Sequence, residues 1–89
     1  MIIYYTSEGV MLMKYEVSWK PVDEKDTSVA AYGTIMREIN IGRKLTFKDV
    51  SEVHKRDGHY VQLIDETEDK IRFVDASLSK IITYKLVEE

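Results

Sequence analysis

Apolar and polar residues alternate from Lys14 to Lys20: Tyr15, Val17 and Trp19 fall on one side, Lys14, Glu16, Ser18 and Lys20 on the other. A period of two sends successive side chains to opposite faces of a pleated ribbon, so this stretch reads as a half-buried strand. Ile2 to Thr6 is a shorter apolar run, and Ser7-Glu8-Gly9 supplies a tight turn between the two, which makes it a candidate partner strand. The period then changes. Val29, Tyr32, Ile35, Met36 and Ile39 recur at spacings of three and four, the pattern of one helical face. Asp23, Asp26 or Thr27 offers an N-cap oxygen for this helix, and Gly42 a residue able to turn left-handed at its end. Gly33 in its middle costs about 1 kcal/mol relative to alanine.

Beyond Arg43 the pattern predicts strands throughout. Leu45 and Phe47 alternate with Lys44, Thr46 and Lys48, and Val50 to Arg56 is expected to pair with His59 to Asp65 through an Asp57-Gly58 hairpin turn. Glu66 to Asp69 is an acidic turn leading into Ile71 and Phe73, and Asp75-Ala76-Ser77 a second turn. A last strand runs from Lys80 to Val87, with Ile82, Tyr84 and Leu86 on one face. The expected fold is therefore α+β: one helix plus a curled antiparallel sheet of four to six short strands. Over residues 27–87 this order of elements resembles SH3-like and Sm-like barrels, in which a helix precedes a curled meander. The resemblance is one of layout without a shared motif; it implies a small barrel and gives no residue a role.

Length and composition fit that reading. A chain of 89 residues has room for one core, so residues 1–89 are taken as a single domain, with residues 1–12 a possible N-terminal extension. Met11 and Met13 offer alternative starts, and Ser7-Glu8-Gly9-Val10 is encodable by a purine-rich, ribosome-binding-like stretch. Intact-mass measurement on the natural protein separates these starts. With 44% hydrophobic and 33% charged residues the chain is expected to fold, and with no cysteine its stability must come from aliphatic and aromatic packing. There is no basic segment ahead of an apolar run at the N-terminus and no apolar stretch near the roughly 20 residues of a membrane span, so a soluble, cytoplasmic protein is expected.

Charge and site chemistry narrow the function classes. The net charge of −3 argues against a wholly basic nucleic-acid binder. The middle of the chain is nonetheless basic, with Arg37, Arg43, Lys44, Lys48, Lys55 and Arg56 against Glu38, Asp49, Glu52 and Asp57. Arg43, Lys44, Lys48, Lys55 and Arg56, with Tyr60 as a stacking surface, are the candidates for gripping phosphates of a nucleotide or nucleic acid, on the expectation that they share a strand face. Tyr15, Trp19 and Tyr32 are the candidate interface anchors, since Tyr and Trp combine rigid apolar area with a polar tip.

No catalytic pattern emerges: no serine on a glycine-flanked elbow and no glycine-rich phosphate loop. His54 and His59 flank Asp57-Gly58 and would lie together, and with Asp57 they could ligate a metal, but a catalytic zinc site wants three protein ligands held by their neighbours rather than set on a hairpin tip, and nothing else in the chain supplies a convergent third, so neither metal nor cofactor is expected. Asp65, Glu66, Glu68 and Asp69 lack the spacing of a calcium loop and read as a solvated turn. Asp75 is the one acid beside an apolar run, and is expected to hold a turn by bonding the backbone at Ser77. The expected function is non-catalytic: a small, self-associating protein-binding module, of a size that suits an accessory or inhibitor protein of a mobile element. Nucleotide or nucleic-acid binding through the basic residues is the alternative.

Overall fold

The strand foreseen at Lys14–Lys20 is the organising element of the molecule. The computed structural model describes residues 4–5, 11–23, 25 and 31–88. In chain order they form β1 (Tyr4–Tyr5), β2 (Met11–Pro21), β3 (Gly33–Ile39), α1 (Phe47–Arg56), β4 (Val61–Glu66), β5 (Lys70–Asp75) and β6 (Lys80–Glu88). β2 pairs with β3 on one side and β6 on the other, and β6, β5 and β4 continue as a meander, giving a five-stranded antiparallel sheet ordered β3-β2-β6-β5-β4. The two-residue β1 pairs with the start of β2, Tyr4 opposite Leu12 and Tyr5 opposite Met11. The expected turn at Ser7-Glu8-Gly9 lies outside the described residues.

The α+β class holds, with one helix and an open sheet rather than a closed barrel. β3 and β4 are its two edges and do not pair with each other. The chain reverses the expected places of helix and strand. Gly33–Ile39 is a strand, and the part of the expected helix at residues 26–30, with the caps Asp26 and Thr27, lies outside the described residues. Gly42 does take a left-handed φ of 78°, but in a loop rather than at a helix end. β3 imitated a helical stripe because it lies at an edge with most of its residues exposed on both faces, so nothing imposes a period of two on it.

Conversely, Phe47–Arg56 is the helix. Thr46 caps it: its hydroxyl accepts from the Asp49 amide, and the Asp49 carboxylate accepts from the Thr46 amide at 2.8 Å, a reciprocal box that satisfies two donors at the helix start. Phe47, Val50 and His54 follow at helical spacing and turn toward the sheet. At the other end Asp57-Gly58 is a helix stop instead of a hairpin. Gly58, at φ 83°, donates to the Lys55 carbonyl, and His59 donates to the His54 carbonyl, each at 2.9 Å. These crossed bonds are the Schellman closure, which needs a residue able to adopt positive φ.

The face of the sheet under α1 carries the core: Met13, Tyr15 and Val17 from β2, Val61 from β4, Ile71 and Phe73 from β5 and Ile82 from β6, with Leu45 and Val50 laid over them. The Tyr15 hydroxyl accepts from the Leu45 amide at 2.9 Å, which satisfies a buried donor in the segment leading to the helix. A bulge between Leu63 and Asp65 shifts the β4 register, so that Glu66 stands opposite Ile71, on the helix side of the sheet. Glu66 uses that placement to accept from the Phe47 amide at 2.6 Å. The helix start is thereby fastened to the end of β4.

Candidate functional site

Five strands span about 19 Å across the sheet, whereas a helix with its side chains covers about 10–12 Å. One helix therefore cannot cover the sheet, and where it is anchored decides what stays open. α1 is anchored toward β4 and β5: by Glu66 at its start, by Phe47 against Phe73 with ring centroids 5.9 Å apart, and by His54 edge-on to Phe73 at 5.2 Å. The uncovered side is the one with β3.

There the helix and β3 enclose an open groove of about 760 Å³, within the size range of ligand sites. Ile35, Arg37 and Ile39 of β3 form one wall, Asp49, Val50, Glu52, Val53 and Arg56 of α1 the other, and Ile41, Arg43 and Leu45 close one end over Tyr84. Four apolar side chains along it are strongly exposed: Ile35 at 41%, Met36 at 49%, Ile41 at 45% and Val53 at 52%. Arg43 is held by Asp49 through two contacts of 2.7 Å, and those hydrogen bonds keep the Asp49 carboxyl far below the ordinary carboxylate range despite some opposing desolvation. Burial raises the Tyr84 phenol above its usual value, opposed in smaller part by Arg37. Next to the groove, the outer edge of β3 pairs with no other strand among the described residues.

The expected binding residues scatter over this frame. Of the interface candidates, Tyr15 is 1% exposed and serves the core, while Trp19 and the half-exposed Tyr32 meet at a second hollow of about 510 Å³ with Lys20 and Arg72. Of the phosphate candidates, Arg43 is engaged by Asp49 and Lys44 by Asp69 at 3.0 Å. Lys48, Lys55 and Arg56 belong to α1, so the expected shared strand face does not form, and Arg56 lines the groove. Tyr60, 66% exposed, follows the helix stop.

A second cluster lies under the C-terminal end of α1. In the Schellman closure, His54 and His59 occupy the two positions whose side chains regularly meet, and their ring centroids are 5.9 Å apart. Both rings turn to one carboxylate oxygen. Asp75 Oδ2 lies 2.8 Å from His54 Nδ1 and 2.9 Å from His59 Nδ1, while Oδ1 accepts from the Leu78 amide at 3.1 Å. Asp75 is 0% exposed. Burial works against its charge, but the bonds from His54, His59 and the Leu78 amide outweigh it and hold its carboxyl below the ordinary value. The expected turn role of Asp75 is thus present, with the Leu78 amide as partner, and the convergence of the two histidines on it is additional. Sequence spacing hid this because His54 and His59 sit around a helix stop and Asp75 comes from a strand 16 residues beyond His59.

Among the described residues no helix is long and apolar enough to cross a membrane. Comparison with protein-family models, with curated proteins and with solved structures finds no match for this chain.

Proposed function

We propose that this chain is a protein-binding module that takes up an extended segment of a partner protein along β3. The observation that carries the reading is the coincidence, among the described residues, of an unpaired strand edge with a groove carrying exposed apolar side chains on the same strand. An added strand satisfies its own backbone groups on the edge, and its alternate side chains reach the groove, so that main-chain bonds provide affinity and the groove selects sequence. β3 has no proline and no bulge in its pairing with β2, and it carries exposed Ile35 and Met36 at its centre ahead of the charged Arg37 and Glu38.

The lining sets the chemistry of the partner. With Arg43 neutralised by Asp49, the groove presents Arg37 and Arg56 against Glu38 and Glu52, so its charges balance. The segment that fits is apolar at alternate positions.

The test uses tag-free protein and a displayed library of random dodecamer peptides. Selected peptides should share the alternating apolar pattern, shift backbone amide resonances of Gly33–Ile39 and Asp49–Arg56, and lose at least tenfold in affinity with Val53→Glu. Selected peptides whose shifts fall elsewhere, or binding indifferent to Val53→Glu, would overturn the reading. So would a doubled mass in light scattering that Val53→Glu returns to a monomer, because the edge would then belong to a second copy of this chain.

A further inference from the structure

We infer that His54, His59 and Asp75 form a binding site for one divalent transition-metal ion of the zinc class. Two imidazole nitrogens and a carboxylate oxygen, drawn from the end of α1, the residue after its stop and the end of β5, all lie within 4.8 Å of one another. Imidazole and carboxylate together suit zinc and its neighbours better than the hard cations, which favour all-oxygen shells.

The geometry is close to what coordination needs. Zinc holds nitrogen and oxygen ligands at about 2.0–2.2 Å, which in a tetrahedron separates them by roughly 3.4 Å. The two Nδ1 to Oδ2 separations are 2.8 and 2.9 Å within a set that lies inside 4.8 Å, so admitting the ion takes each ring about 0.5 Å back from Oδ2 together with an adjustment of the two rings relative to each other.

The surroundings are those of a built site. Asp75 is fully buried and its second oxygen is fixed by the Leu78 amide, the kind of outer hydrogen bond that orients a ligand. His54 is fixed on the last turn of α1 with its ring edge-on to buried Phe73. The His59 side chain keeps 27% of its surface exposed, which gives the ion a way in and leaves a fourth position to water. The C-terminal end of a helix also carries partial negative charge, which favours a cation beside it.

The experiment titrates tag-free, metal-stripped protein with zinc by calorimetry and elemental analysis, and with cobalt(II) as a spectroscopic probe. One zinc per chain is expected, with cobalt giving the intense visible bands of a four-coordinate ion, a higher Tm with zinc, and at least tenfold weaker binding in His59→Ala. His59 is partly exposed, so this variant should keep its fold. Nitrogen-15 shifts of the imidazoles in the unaltered protein provide a second measurement, with zinc moving the Nδ1 resonances of His54 and His59 together. Substoichiometric zinc, unchanged Nδ1 resonances, or binding retained in His59→Ala would each show that the three residues are only a hydrogen-bonded clamp.

Discussion

Replacing Gly33 with alanine adds one methyl group at the edge of the sheet, and the register decides its effect. Gly33 stands directly opposite Trp19 on β2, with both positions on the same face. The indole lies across the glycine, so a Cβ built there would overlap Cζ2 and Cε2 and sit 2.8 Å from Nε1. Overpacking of this kind costs about 1–3 kcal/mol, because the ring must leave its place or the strands must part. Alanine also recovers about 0.4–1 kcal/mol by restricting the unfolded chain. The net expectation is a loss of about 1–2 kcal/mol.

Trp19 is the only tryptophan, so its fluorescence reports on the perturbed contact directly. Urea unfolding of Gly33→Ala should show a lower midpoint with an altered native emission. Trp19→Ala alone removes a large side chain packed against the core and should cost about 3 kcal/mol, the low end for a ring that is only partly buried. The decisive measurement is the double variant followed by circular dichroism. Without the indole, Gly33→Ala should become neutral or mildly stabilising, a coupling of about 2 kcal/mol. An equal cost of Gly33→Ala with and without Trp19 would refute the contact, and so would an unchanged midpoint in the single variant.

Asp49→Asn should destabilise by about 1 kcal/mol, mainly through the helix cap, since Arg43 is more than half exposed and its ion pair adds little. Because the Asp49 carboxyl lies below its unfolded value of 3.8 in the folded protein, its contribution is complete above about pH 5 and fades as the pH falls through 3.8 and below. Acid unfolding curves of Asp49→Asn should therefore converge on the unaltered protein in that window, and a constant gap would exclude a charged Asp49 held jointly by Arg43 and the Thr46 cap. Tyr15→Phe leaves the Leu45 amide buried without its acceptor and should cost about 1–3 kcal/mol in urea unfolding, with faster hydrogen exchange at Leu45.

The alternating strands β2, β5 and β6 were legible in the sequence, whereas the identities of β3 and α1 were not. β2, β5 and β6 alternate because each is packed between neighbours under the helix, and their expected inward residues Tyr15, Val17, Phe73 and Ile82 are in the core. At β3 the spacing of Ile35, Met36 and Ile39 carried no burial information, since an edge strand open on both faces meets no packing constraint. At α1 the informative signal was Thr46-Phe47-Lys48-Asp49, a capping sequence followed by apolar spacing of three and four. It was outweighed by Asp57-Gly58, a pair that serves a hairpin turn and a helix stop equally well, because both need a left-handed residue. The same ambiguity concealed the cluster. On a hairpin His54 and His59 lack a third partner, whereas around a helix stop both rings turn inward to Asp75.

The openness of the sheet and the existence of the groove have a single origin. Closing the sheet into a barrel would bring β3 beside β4, a neighbour relation that antiparallel strands commonly make through a turn of about 2–5 residues. About twenty residues separate them here, including α1. A ten-residue helix is about 15 Å long, and the Thr46 cap and the Gly58 stop hold it to that length, so the segment has to cross the sheet face between its two edges. Once across, it is fastened on the β4 and β5 side by Glu66 at one end and by Asp75 with the two histidines at the other. Among the described residues the β3 edge is left unpaired, and the groove beside it stays open. Weakening the Asp75 end of this fastening should therefore alter the groove as well as the cluster, linking occupancy of the proposed metal site to the position of Val53 and Arg56 on the groove wall.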